Sequence, residues 1–319
     1  MAYPLGPGAH IDVPLSNFAS VGFNDPVNGL VGQALVPEIA VSKQSDKFYI
    51  IEKGAFFRVP STLRAPRTKA NRVNFEVSSS SYFADNYALA TDNALEDLEN
   101  ADMAINLRQN GTSLVVGNLR LDEERRIANM VTSITNVGSG VALTGTAKWS
   151  DYAGSDPVAD VTTGHAFIRS NTGLIANTAV IDWDTLMVLR RHPVLLDMYK
   201  YTSGGEVSTQ QIADVFKVPN IMVAHGVLNT AIEGAADSMS NVWGNCFVMA
   251  HVGATTGLRS TTFAGRFRWR NPIFPADFAV QTAMFNRAGE EKVEVLEAGY
   301  FQDEQVIARD LAYTINDTL

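Results

Sequence analysis

The sequence predicts an α+β fold, and three observations carry the prediction. Only 18% of its 319 residues are charged, while 24 are Gly and 12 are Pro, a composition of strands, turns and extended chain. A few stretches have helical apolar spacing between clear start and stop signals, and others alternate apolar and polar residues at the strand period. The length allows about two domains, and a hydrophobic content of 46% can fill a sizeable core. Cys246 is the only cysteine, so the fold stands without an intrachain disulfide, which fits a reducing compartment such as a cytoplasm. The N-terminus lacks a basic start followed by an apolar run, and nowhere do 18 apolar residues follow one another, so neither a secretory leader nor a membrane partner is expected.

Residues 1–41 hold Pro4, Pro7, Pro14, Pro26 and Pro37 and show no helical period, which predicts an extended arm. "KFYII" (47–51), "FFRV" (56–59) and "NRVNFEVSSSSYF" (71–83) read as strands of a long two-armed excursion. A helix is expected over roughly 107–133, with Val115, Leu119, Ile127, Met130 and Val131 on one stripe and Asp122 four residues before Arg126. A second helix starts near Pro157, with Ser155 as its cap. Asp182 caps a third, stopped by Pro193, and Ser208 with Gln211 forms a capping box for a fourth. "NIMVAH" and "CFVMAHV" read as strands, and "EKVEVLEAGYF" with "EQVIARDLAYTI" reads as a hairpin or strand pair.

Charge is distributed in blocks. The chain carries a net -9, yet residues 43–72 hold eight Lys or Arg against Asp46 and Glu52, a balance of +6. From 73 to 107 there is no Lys or Arg, while Glu76, Asp85, Asp92, Glu96, Asp97, Glu99 and Asp102 give -7. Adjacent blocks of opposite sign either neutralise each other within a chain or bind the complementary block of another copy. The acidic total argues against a whole surface that grips nucleic acid, and no aromatic residue is interleaved with the basic ones between 58 and 72.

Chemical motifs are largely missing. No Gly-rich phosphate cradle, no GxSxG elbow and no HExxH is present, and the five histidines are scattered without a cysteine partner. His225 and His251 lie on two expected strands and could meet, whereas Cys246 and His251 are an odd distance apart on one strand and face opposite ways. Neither a metal nor a cofactor nor an enzymatic activity is expected.

Four stretches taken together resemble the major capsid proteins of tailed double-stranded DNA bacteriophages, of the Hong Kong 97-like fold. They are "YALATDNALEDLENADMAINL", "KWSDYAGSDPVADV", "VLRRHPVLLDMYKYTSGGEVSTQQIADVFKV" and "LNTAIEGAADSMSNVWGNCFVMAHV", in that order. The resemblance implies an N-terminal arm (1–41), an extended loop (42–84), a peripheral domain with a long spine helix and a sheet (85–180 and 271–319), and an axial domain (181–270). It implies a protein made in the host bacterial cytoplasm that assembles with itself, as pentamers and hexamers, into an icosahedral virion shell around non-specifically contacted double-stranded DNA. Scaffolding, portal and decoration proteins are further partners that it suggests. On this view Arg64, Arg67, Lys69 and Arg72 at the loop tip meet Asp85, Asp92, Glu96, Asp97, Glu99 and Asp102 of an adjacent subunit. The competing readings are an encapsulin-type nanocompartment shell of the same fold, a nucleic-acid-binding protein using the basic segment, and an unrecognised enzyme.

Overall fold

The computed structural model describes residues 29–51, 53–74, 76–100, 106–200, 206–253, 261–271, 278–285 and 293–319. The expected arm over 1–28, and Asp102 of the acidic block, lie outside them. In chain order the helices are α1 (Gly32–Leu35), α2 (Lys53–Phe57), α3 (Leu95–Asn100), α4 (Leu107–Thr132), α5 (Pro157–Thr172), α6 (Trp183–Leu189), α7 (Pro193–Met198) and α8 (Thr209–Phe216). The strands are β1 (Glu38–Val41), β2 (Ser45–Ile51), β3 (Val77–Phe83), β4 (Asp85–Ala94), β5 (Ser139–Ala142), β6 (Thr178–Asp182), β7 (Asn220–Ala224), β8 (Val227–Asn229) and β9 (Met239–Asn241), followed by β10 (Cys246–Ala250), β11 (Ala264–Trp269), β12 (Ala279–Phe285), β13 (Val293–Val306) and β14 (Ala312–Asn316).

Two five-stranded sheets organise the molecule. In the first, β13 is central: β4 pairs with its residues 293–302, β12 with 293–299 and β11 with 301–306, all antiparallel, and β1 joins β11 in parallel. The second has the order β5-β14-β10-β6-β7. Its inner strands β6 and β10 are buried along their whole length, so they read as largely apolar runs. Cys246, Val248 and Ala250 of β10 point into one core with Val31, Leu35, Ile127, Val131 and Trp243. Phe247 and Met249 point into the other, with Trp149, Ile168, Leu189, Ile212 and Phe216. That alternation is the strand period acting between two cores.

Helix α4 bridges the sheets. Its 26 residues span about 39 Å at 1.5 Å per residue. Near its start Val115 and Leu119 pack on Ala298 and Tyr300 of β13; near its end Ile127, Ala128 and Val131 enter the core under the second sheet. Gly111 sits where a Cβ would come 3.0 Å from Thr91 Cγ2, so its lack of a side chain lets the helix approach β4 closely. Gly117 has open space beside it and carries only the propensity cost.

Several local expectations are corrected. Lys53–Phe57 is helical, so "FFRV" is not a strand, and among the described residues no strand pairs with the segment beyond it, which contains Pro60 and Pro66. Of the expected strand over 71–83, only Val77–Phe83 pairs, with β2. "EKVEVLEAGYF" and "EQVIARDLAYTI" do not form a hairpin. Strand β13 runs on to Val306 because β11 pairs with its second half, and the turn Arg309–Leu311 then sends β14 into the other sheet beside β10. Ser155 is not the cap of α5: the Asp156 carboxylate accepts from Val158 N and Ala159 N instead. Pro193 does not merely stop α6; it opens α7, with His192 as the N-cap. The Asp182 cap and the Ser208–Gln211 capping box form as the sequence predicts.

Candidate subunit interface

The charged excursion begins as the β2–β3 hairpin, whose root is clamped to the first sheet by stacked rings. Phe48 and Tyr82 stack on Phe267 of β11 at centroid distances of 5.1 and 4.8 Å. Lys53 adds an ion pair with Asp310. Beyond this root every residue from 56 to 74 is exposed. Val59 and Leu63 are each 91% exposed and Val73 is 70% exposed, a level of apolar exposure unusual for a lone soluble subunit.

Local hydrogen bonds shape the tip. Thr68 donates through N and Oγ1 to Ala65 O, and Asn71 Nδ2 donates to Ser61 O across the loop. Pro66 precedes Arg67, whose φ is +66°, the pattern of a type II turn. The turn fans Arg64, Arg67, Lys69 and Arg72 outward, and none of the four makes an ion pair among the described residues.

The acidic residues form a separate surface. Asp85 and Asp92 lie on β4, an edge strand whose described ladder is to β13 alone, and Glu96, Asp97 and Glu99 lie on α3 just after it. All five are exposed, and among the described residues no ion pair joins them to the basic tip. Among the described residues, then, the basic tip and these five carboxylates do not pair with each other inside one subunit, and both are exposed.

Behind β4 lies a buried ionic network that sequence reasoning reduced to the Asp122–Arg126 pair, which does form. Glu123 Oε1 accepts from Arg266 Nη1 at 2.6 Å, Gln302 Nε2 at 2.8 Å and Arg268 Nη2 at 3.2 Å, all buried. Glu124 accepts from Val31 N and Gly32 N, both at 2.9 Å, and from Trp243 Nε1 at 2.6 Å. Burial raises the Glu124 carboxyl above its ordinary value, against the pull of those donors. Arg126 reaches Glu304 at 2.9 Å and the Tyr300 hydroxyl at 3.0 Å, with its guanidinium 3.7 Å above the Tyr87 ring. Through these contacts α4 fixes β4, β11, β13 and the root of the arm together.

The remaining chemistry is structural. His225 and His251 do not meet: His225 packs on Trp183 at the end of β7, whereas His251, after β10, bonds Ile175 O at the opposite end of β6. Ser155 Oγ lies 2.9 Å from His192 Nε2, but Val194 N donates to His192 Nδ1, so Nε2 carries the proton and cannot act as a base toward the serine. The hydroxyl instead donates to Asp151 O. A hollow of about 640 Å³ beside α8 is lined by no titratable side chain. Among the described residues no three His, Cys, Asp or Glu side chains converge as a metal set, and no helix is long and apolar enough to cross a membrane.

No family model matches the chain. Its curated relatives are the major capsid protein of Burkholderia phage BcepMu, 28% identical over 79% of this chain and 80% of that one, and the major capsid protein of Pseudomonas phage JBD67, 25% identical over 88% and 93%. Among solved structures, a phage-related protein from Bordetella bronchiseptica aligns with a TM-score of 0.70 at 20% identity, covering 96% of both chains. The mature capsid of bacteriophage PhiM1 aligns at 0.57 and 10% identity over 99% and 92%. The encapsulin of Synechococcus elongatus shares the fold at 0.53 and 10% identity, over 97% and 96%. The named relatives in sequence favour the phage shell over the nanocompartment. In sequence the chain is similar to the major capsid proteins of phages, and it has the fold of phage capsid structures, the Hong Kong 97-like type.

Proposed function

We propose that copies of this chain form rings of five and six that close into an icosahedral phage head around double-stranded DNA, each loop (42–84) docking on the acidic edge of an adjacent subunit. The observation that carries the docking is the pair of exposed, oppositely charged surfaces with no ion pair between them among the described residues. Arg64, Arg67, Lys69 and Arg72 meet Asp85, Asp92, Glu96, Asp97, Glu99 and, in the same block, Asp102. The exposed Val59, Leu63 and Val73 supply the apolar part of that contact.

In this reading residues 1–41 are the arm, the first sheet with α4 is the peripheral unit, and the second sheet with its helices is the axial unit. The boundary expected at 180/181 falls inside β6, β5 and β14 pair within the second sheet and β11 pairs within the first, so in this reading the axial unit adds 139–142 and 312–316 to 181–270 and gives up 264–269. The roots of arm and loop are fastened while residues 58–74 of the loop are exposed, which suits one chain to contacts of slightly different geometry in pentamers and hexamers. Exposed charge pairs contribute little each, about 0–1 kcal/mol, so many reversible contacts let misplaced subunits leave before closure. Scaffolding, portal and decoration proteins complete the set of proposed partners, with the DNA contacted non-specifically.

The test is the full chain with Arg64, Arg67, Lys69 and Arg72 all changed to Glu, followed by sedimentation velocity and negative-stain microscopy at low salt beside the wild type. The expected outcome is that the wild type forms rings or closed shells and the variant stays as subunits. Equal assembly of the two would overturn the docking.

A further inference from the structure

The β8–β9 hairpin is an unusual projection for a lone subunit. Its tip is held by an ordered set of bonds: Asn229 Oδ1 accepts from Ala231 N and Ser238 N, Thr230 N donates to Ser238 O, and Ala235 N donates to Ile232 O around Gly234, whose φ is +87°. On that rigid tip Ile232 is 81% exposed, flanked by the exposed Glu233 and Asp237. From 226 to 241 there is no Lys or Arg. An apolar side chain presented on a preorganised acidic turn has the form of a plug for an apolar hole with a basic rim.

Such a hole is present on the same subunit. A groove of about 340 Å³ between α5 and the end of α8 has Val158, Val161, Val215 and Phe216 among its lining, with the exposed Arg169 and Lys217 at its edge and no carboxylate in its lining. Ile175, on its rim, is 57% exposed. Neither cation makes an ion pair among the described residues.

A subunit cannot fill its own groove. Strands β6 and β7 run parallel. The hairpin follows their C-terminal ends: Val227 comes three residues after Ala224, and Asn241 Nδ2 bonds Asp184 Oδ2 just past β6. The groove lies at their N-terminal ends, where Ile175 precedes Thr178 and Lys217 precedes Asn220. Five-residue strands of about 3.3 Å per residue hold the two sites roughly 16 Å apart or more. Complementary patches on opposite ends of one body make a head-to-tail contact, and such contacts generate rings when the rotation closes.

We propose that Ile232 of one subunit inserts into the α5–α8 groove of the next, with Glu233 and Asp237 facing Arg169 and Lys217, and that this heterologous contact joins neighbours within each ring. The contact rests on the shell-forming reading above and is separate from the loop docking. The occupant is therefore a second copy of this chain.

The test is the full-length chain carrying both Ile232→Cys and Ile175→Cys. Cys246 is buried, so the introduced thiols are the ones exposed to oxidation. Assembled particles oxidised and run on a non-reducing gel should give a ladder of covalent species reaching five and six subunits, while either single variant stops at dimers. As a second measurement, Lys217→Glu should lower ring yield several-fold, and adding Glu233→Lys to it should restore the yield. Particles of normal appearance that give no ladder, together with a Lys217→Glu variant that assembles like wild type, would overturn the contact and leave the shell reading standing. A wild type that never forms rings or shells, with or without a scaffold, would remove the shell reading and this contact with it.

Discussion

Glu123 lies four residues after Leu119 and four before Ile127, so the apolar stripe that the sequence shows on α4 passes directly through a carboxylate. That spacing was a readable sign that Glu123 is buried. Its partners were not readable, because Arg266, Arg268 and Gln302 arrive from strands more than 140 residues away. Removing one member of a buried set strands the others without solvent or counter-charge. Glu123→Ala should therefore destabilise the unassembled subunit by about 3–5 kcal/mol, read as a shift in its denaturant midpoint. Asp182 tests burial in another way. Burial pushes its carboxyl up to about 6 although Asp184 N donates to it. The unfolded chain, with its carboxyl at the ordinary value near 4, ionises first as pH rises. Between about pH 4 and 6 the folded state binds more protons, so stability falls across that window and levels off above it. Asp182→Asn keeps an acceptor for the cap and removes the slope. It should be more stable than wild type by about 1–3 kcal/mol at pH 7 and lose that advantage below pH 4, measured by denaturation across pH.

At the scale of elements, punctuated helices were legible and strand partners were not. The Asp182 cap and the Ser208–Gln211 box are written within a few residues of sequence, so local chemistry suffices to find them. Strand pairing is settled at a distance: the alternating segments around 293–306 and 312–316 are neighbours in sequence, yet each finds its ladder in a different sheet. The short helix α1 is a further case, hidden in a Pro/Gly-rich segment that reads as arm. It docks because Gly32 has no side chain, since a Cβ there would stand 2.8 Å from Glu124 Oε2 and 2.9 Å from Ile127 Cγ2. Neither neighbour can yield easily, Glu124 being held by Val31 N and Trp243 and Ile127 being fully buried. Gly32→Ala should cost about 1–3 kcal/mol and speed amide exchange across 31–36 with little change elsewhere, as hydrogen exchange would read.

For the whole molecule, the two charge blocks were visible in the sequence and their arrangement was not. Composition shows that residues 43–72 are basic and 73–107 acidic, but only the fold shows that one block is held out on a clamped hairpin and the other runs along a sheet edge. On the proposed docking the partner belongs to another copy, so no amount of intrachain pattern reveals it. The clamped, bare loop also gives the molecule two fates. Between 56 and 74 no residue is buried and no ladder protects the backbone, while Arg58, Arg64, Arg67, Lys69 and Arg72 each offer a tryptic bond. Trypsin should cut free subunits in this segment first and spare the same bonds in closed particles, as mass spectrometry of timed digests would record. On the proposed docking that difference acts as a clock in a cell rich in proteases: a subunit that finds its place is locked away from cleavage, and one that lingers unplaced is destroyed before it can spoil a shell.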